Sequence, residues 1–219
     1  NVAVTDRQYS GQELMWDVTY TMDQRGLRIT PEPQHLARCI LFFGGSFTFG
    51  EGIDDNMTLP YQVGEKLAES TKTFNFGMTG YGAHQMLAAL ELGLVDEVVD
   101  CEPTAIREVV YQAIPTHPMR AAGIAPWDDH GPRYELDEKG EVVYRGHFDD
   151  GYRKHLRPLW KKAQKSSIYR RVFGKWQYLR RPNATDIDRY IAIVERTQEL
   201  VRSRYPCAAV HIVYWDTDW

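Results

Sequence analysis

The sequence predicts an α/β fold with a parallel sheet covered by helices, and three observations carry that prediction. Four short apolar or β-rich runs recur at 39–43, 73–77, 107–114 and 207–215. The first two end in glycine turns, Gly44-Gly45 and Gly77 to Gly80. Stretches with apolar residues at helical spacing lie between the runs. Buried strands of parallel sheets read as short apolar runs. Strand, glycine turn and helix in alternation is the pattern of such a sheet with helices on its faces.

Residues 1–35 stand outside the alternation as an N-terminal extension. Residues 1–15 are polar and without a clear period. Met15 to Met22 alternate in part, Asp23-Gln24-Arg25-Gly26 supplies a turn, and Leu27 to Thr30 resume the alternation. This predicts a β-hairpin closed by Pro31 and Pro33. Its two-sided polarity fits a structural extension better than a lid.

The run Cys39 to Phe43 predicts the first strand, and Gly44 and Gly45 permit a tight turn at its carboxyl end. Ser46 follows at the crevice where open α/β sheets bind ligands. Two readings of Ser46 stand side by side, a nucleophile and a helix cap. Thr58 is the expected N-cap of a helix carrying Leu59, Val63 and Leu67. After the strand Thr73 to Gly77 comes a helix with Met86, Leu87, Leu90 and Leu94. Pro103 precedes a third strand, Arg107 to Ile114, which Pro115 ends.

Residues 121–185 interrupt the alternation as an insertion. Tyr134–Leu136 and Val142–Tyr144, around Glu138-Lys139-Gly140, predict a second hairpin. From Tyr152 to Arg181 the chain reads as helical and strongly basic, interleaved with Trp160, Tyr169, Phe173, Trp176 and Tyr178. This segment is either a solvated helix face or a cap that attracts an anionic substrate or an acidic membrane surface. Asp186 to Arg204 predicts an amphipathic helix with Ile187, Ile191, Val194, Leu200 and Val201, and Cys207 to Trp215 a fourth apolar strand.

The composition restricts the function. The 219 residues are 43% hydrophobic and 12% aromatic, which fits a folded domain with a sizeable core. A net charge of −4 argues against a general nucleic-acid binder, so no nucleic acid is expected as a partner. No apolar run reaches the roughly 20 residues of a membrane-spanning helix. The chain begins at Asn1 rather than Met and is read as processed or trimmed, with any leader or anchor lost from view. An extracytoplasmic location is slightly favoured over a cytoplasmic one. Cys39, Cys101 and Cys207 are widely spaced, so zinc is not expected. Cys39 and Cys207 open apolar runs and read as buried small hydrophobes. No cofactor or metal is expected.

Gly44-Gly45-Ser46-Phe47-Thr48-Phe49-Gly50 and Asn75-Phe76-Gly77-Met78-Thr79-Gly80, at this separation, resemble the SGNH (GDSL-like) hydrolase superfamily. The resemblance covers residues 36–115 and 186–215. It implies a three-layer α/β/α flavodoxin-like sandwich, here with the N-terminal hairpin and the basic insertion added. It also implies esterase, deacylase or O-acetyltransferase activity. By that resemblance Ser46 is the nucleophile, and the N–H groups of Ser46 and Gly80 line an oxyanion hole.

Three departures from the family pattern bear on the site. The Asp of its first block is Gly45 here. Its third block, Gly-x-Asn-Asp, is replaced by Ile114-Pro115-Thr116-His117-Pro118-Met119-Arg120. Counting along the strand puts Thr116 at the Asn position, with His117 beside it. Either side chain could donate to an oxyanion, His117 is also an alternative base, and Arg120 could steer an anionic substrate or be solvated. Finally, no histidine has Asp three positions before it, so the Asp-x-x-His block that supplies acid and base is not found. The expectation is that residues 36–219 form an SGNH-like domain truncated at its C-terminus. His84 opens a helix near the expected site, and His211 reads as a satisfied core histidine.

The expected function is therefore a serine esterase or deacylase acting on O-acyl esters, O-acetyl esters foremost. An O-acetyltransferase and a non-catalytic ligand-binding module are the alternatives. The expected substrate is a small molecule or glycan ester, with an anionic one suggested by the basic insertion. Membrane association through that insertion or a removed anchor is the further possibility. Which of esterase and transferase applies, the substrate and the oligomeric state are left open by the sequence.

Overall fold

The strand that ends at Gly44 lies inside a four-stranded parallel sheet. A computed structural model describes residues 1–125, 127–150 and 181–216. In chain order the strands of this sheet are β3 (Arg38–Gly44), β4 (Thr71–Gly77), β5 (Ile106–Ala113) and β8 (Ala209–Tyr214). Their order across the sheet is β4-β3-β5-β8. The chain leaves β3 toward β4 on one side and returns to β5 on the other. The ends of β3 and β5 therefore flank the switch point where such sheets bind ligands.

The sheet forms because β3 is apolar on both faces and is buried from Cys39 to Gly44. Leu41 and Phe43 share one face with Val109 and Tyr111. Helices α3 (Ala83–Glu91), α4 (Leu94–Val98) and α6 (Ala184–Arg204) cover this face through Leu87, Leu90, Val95, Ile193 and Val201. Helix α2 (Leu59–Lys66) lies against the opposite face, where Thr73 Oγ1 donates to Pro60 O at 2.9 Å. The remaining elements are β1 (Val2–Ser10), β2 (Glu13–Met22), the short helices α1 (Ser46–Phe49) and α5 (His117–Ala121), and the hairpin β6 (Pro132–Leu136) and β7 (Val142–His147).

Several expectations are corrected. The N-terminal hairpin pairs β1 with β2, so the unpatterned first residues are a strand. Both faces of this ribbon are largely exposed, which removes the periodic signal. Leu27 to Thr30 make only isolated bridges, Arg28 to Met22 and to Asn75, because the Arg28 side chain turns inward to a set of acceptors described below. Helix α2 is capped by Thr58 as expected, but it buries Pro60 and Gly64 and leaves Leu59 and Leu67 exposed. A Cβ at Gly64 would lie 2.6 Å from Thr73 Oγ1, so contact with the sheet occurs on the small-residue side. Helix α3 stops before Gly93, which has φ +74°, and Leu94 opens a separate helix with its side chain exposed.

Helix α6 begins with a capping box, Asn183 with Asp186, and buries Ile193, Thr197 and Val201 rather than Ile187 and Ile191. Strand β8 pairs with β5 as expected, yet it forms the sheet edge and exposes Ile212, Val213 and Tyr214. His211 is accordingly exposed, its Nε2 2.5 Å from Glu108 Oε2, and is not a core histidine. Cys39 is buried but joined to Cys101 in a disulfide, and Cys207 is free and exposed. The second hairpin is present and packs inward through Tyr134, whose hydroxyl donates to Glu91 Oε2 at 2.7 Å. The basic segment, with its interleaved aromatics, lies almost wholly outside the described residues.

Candidate active site

Ser46 sits at the carboxyl end of β3, at the first position of α1. Gly45, not Ser46, occupies the N-cap, and among the described residues the Ser46 hydroxyl makes no side-chain hydrogen bond. The cap reading of Ser46 is thus set aside by geometry. Ser46 is half-buried. Neither its N–H nor that of Gly80 has an acceptor among the described residues.

The turn is clamped from three sides. A Cβ at Gly44 would collide with Thr48 Oγ1, and one at Gly77 would lie 2.7 Å from Thr48 C. The helix therefore sits directly on two strand ends. Thr48, itself buried, donates to Gln112 Oε1 of β5 at 2.7 Å. From below, the fully buried Arg28 donates to Phe49 O at 2.8 Å, Gly50 O at 2.6 Å and Ile53 O at 2.6 Å. Its Nε pairs with Asp55 Oδ1 at 2.8 Å, and its guanidinium lies 4.5 Å from the Tyr20 ring centroid. The extension thus braces the loop that follows Ser46.

The end of β5 brings His117 and Arg120 against the same turn. A Cβ at Gly45 would lie 2.7 Å from Arg120 Nη1, 3.0 Å from Tyr81 O and 3.4 Å from His117 Nε2. Arg120 is buried rather than solvated, and its Nη1 donates to Tyr81 O at 2.6 Å. Thr116, by contrast, is exposed and makes no capping bond, so of the two residues weighed for the Asn position it is His117 that turns inward. His117 is 0% exposed, its Nδ1 lies 2.5 Å from Tyr111 Oη, and its Nε2 has no partner among the described residues. Burial, with Arg120 and then His84 nearby, pushes its pKa down to about 3, so the ring is neutral at ordinary pH.

Gly80 has φ +88° and is roofed by Trp127, whose Nε1 lies 3.4 Å from Gly80 O. The Arg120 guanidinium is 5.7 Å from the Trp127 ring centroid. His84 is also fully buried, with Nε2 2.6 Å from Asp128 Oδ2, and Gln85 donates to the same oxygen at 2.8 Å. Burial lowers the His84 pKa despite that carboxylate. The pair ties the loop carrying Trp127 to the start of α3.

The structure thus gathers Ser46, Gly80, His117 and Arg120 around one turn and leaves Thr116 outside. Sequence reasoning missed Arg28, Tyr111, Asp128 and Trp127. Tyr111 lies within a strand that reads as core, and Arg28 lies within a presumed hairpin, so neither carried a local signal. Among the described residues no three His, Cys, Asp or Glu side chains converge as a metal site requires.

Fold and site together define a mixed α/β protein with a parallel sheet and a serine at the carboxyl end of a central strand. No protein-family model matches the chain, and no curated protein does. Among solved structures it is similar to the SGNH-hydrolase family esterase AlinE4, at 23% identity over 34% of this chain and 39% of that one, with a TM-score of 0.27. A serine-to-alanine variant of the same esterase aligns over 81% of this chain and 75% of that one, at 14% identity and a TM-score of 0.29. The chain thus spans well under two thirds of AlinE4 in the first of these alignments. The functional reading rests on the site itself.

Proposed function

We propose that the chain is a serine esterase or deacylase of SGNH type, acting on O-acyl and chiefly O-acetyl esters through an acyl-serine. The observation that carries the reading is the unengaged Ser46 hydroxyl at the switch point, beside two N–H groups that have no acceptor among the described residues. The sheet order β4-β3-β5-β8 supports it as the first four strands of a flavodoxin-like order. A cavity of about 170 Å³, lined in part by Phe43, Gly44, Phe76, Tyr81, Gly82 and Met86, adjoins the turn and offers an apolar place for an acyl group.

In this reading Ser46 Oγ bonds to the acyl carbon and the carbonyl π pair moves onto oxygen. The N–H groups of Ser46 and Gly80 receive that oxyanion. The Oγ proton passes to an imidazole–carboxylate base, the pair the family carries in its Asp-x-x-His block, and departs with the leaving alcohol. Water, or a sugar hydroxyl in the O-acetyltransferase variant, repeats the steps on the acyl-serine. Arg120 favours an anionic acyl acceptor or donor.

A fluorophosphonate probe tests the reading, with intact-mass and peptide analysis of the product. Labelling at Ser46, its loss in Ser46→Ala and hydrolysis of 4-nitrophenyl acetate are expected. An unlabelled Ser46 in folded protein would move the reading to the ligand-binding module.

A further inference from the structure

We propose that His117 is a neutral hydrogen-bond donor to the acyl oxyanion, not the base for Ser46, and that Tyr111 is the positioning residue that fixes which ring nitrogen carries the proton. This inference rests on the acyl-serine reading above.

The argument is one of proton accounting. A neutral imidazole has one N–H and one lone pair. His117 Nδ1 lies 2.5 Å from Tyr111 Oη, and Tyr190 Oη donates to Tyr111 Oη at 3.4 Å. With Tyr111 accepting from Tyr190, its own proton points at Nδ1, and the ring proton is left on Nε2. Burial holds the Tyr111 phenol protonated well beyond ordinary pH, so that donor is always present. Arg120, the neighbouring cation, has its Nη1 engaged with Tyr81 O. The charged ring is disfavoured by burial and by the same guanidinium.

Nε2 is buried, has no partner among the described residues, and faces the Gly45 turn whose next peptide carries the Ser46 N–H. A base must offer a lone pair, and the lone pair of this ring is committed to Tyr111. A donor without an acceptor in the resting protein gains one only when negative charge develops on the acyl oxygen. Interactions that form only then accelerate the chemical step. A neutral imidazole held as an electrophile beside a carbonyl has a precedent in triosephosphate isomerase.

Two measurements separate the outcomes. Nitrogen-15 NMR of histidine-labelled wild-type protein reads the tautomer directly, and a proton on Nε2 that persists from pH 5 to 9 is expected. In Tyr111→Phe the two tautomers should mix, and kcat should fall without a matching rise in KM. Kinetics on 4-nitrophenyl acetate supply the second reading. His117→Ala should lose roughly a hundredfold to a thousandfold in kcat, as for loss of one oxyanion donor. His117→Asn, which keeps an N–H, should remain within about tenfold of wild type and still label at Ser46.

A proton on Nδ1, a ring that titrates near 6.5, or equal loss in the Asn and Ala variants overturns this inference while leaving the acyl-serine reading intact. Failure of wild-type Ser46 to label overturns that reading, and the oxyanion role with it.

Discussion

Arg28 Nη1 donates to the carbonyl oxygen of Gly50 at 2.6 Å, across 22 positions of sequence, and to that of Phe49 at 2.8 Å. These are carbonyls at the end of α1; that of Phe49 has no other donor among the described residues, that of Gly50 also accepts from Ile53 N at 3.3 Å, and a cation suits this end of a helix. Arg28→Met should therefore cost about 3–5 kcal/mol, since it leaves the carbonyls of Phe49 and Ile53 without their donor and Asp55 without its cation. Arg28→Lys should recover only part, because an ammonium cannot reproduce the planar fork. Urea unfolding reads both. A loss under about 1 kcal/mol for Arg28→Met would show that the brace contributes little.

Gly45 has φ −94°, a value open to any residue, so its requirement is one of space. Gly45→Ala places a methyl 2.7 Å from Arg120 Nη1 and should destabilise by about 1–3 kcal/mol. In an Arg120→Ala background the cost should shrink by about 1 kcal/mol or more, as residues in contact couple. Strict additivity in this double-mutant cycle would mean that the guanidinium yields without strain.

Acid should unfold the protein through its buried histidines. The folded-state pKa of His117 is depressed to about 3 and that of His84 is also lowered, so the unfolded chain binds more protons below about 6.5. Stability is then whole above 6.5 and falls as the pH drops toward about 3, with His117 contributing up to about 1.4 kcal/mol per pH unit. Denaturant titrations between pH 4 and 8 should show a shallower fall in His117→Asn. Equal slopes in the two proteins would count against a neutral buried ring.

The Cys39–Cys101 disulfide closes a separation of 62 residues between the first sheet strand and the segment leading to the third. Reduction should lower stability by roughly 4 kcal/mol on the chain-entropy model. Thermal melts with and without dithiothreitol read the difference, and Cys207→Ser removes the exposed free thiol from the comparison. An unchanged midpoint would indicate that the bridge constrains little.

The sheet was legible in the sequence because β3, β4 and β5 are short runs cut off by Gly44, Gly77 and Pro115, and the pattern of a buried strand is local. Ser46 and Gly80 were legible for the same reason, as turns at strand ends. What escaped was whatever depends on contacts between distant segments. Arg28 reads as one more polar position of a hairpin until Phe49, Gly50, Ile53 and Asp55 arrive around it. His117 stood beside Thr116 with nothing to choose between them, and the choice came from Tyr111 on the strand and Tyr190 on α6. On α2 bulk is a poor guide to the inward side, and on α6 the expected Val194, Leu200 and Val201 do pack on the core while Ile187 and Ile191 lie outside it. Close packing prefers Pro60 and Gly64 where a helix must approach a strand.

The brace on the serine turn has a consequence for inheritance. Its cation belongs to the extension, and its acceptors belong to the loop after Ser46. Neither half is useful to the other's absence, since an unmatched guanidinium and unmatched carbonyls are each costly to bury. A recombination that exchanged the first 35 residues between related chains would succeed only where both halves matched. The two stretches are therefore expected to travel through evolution as one unit, whatever their separation in the chain.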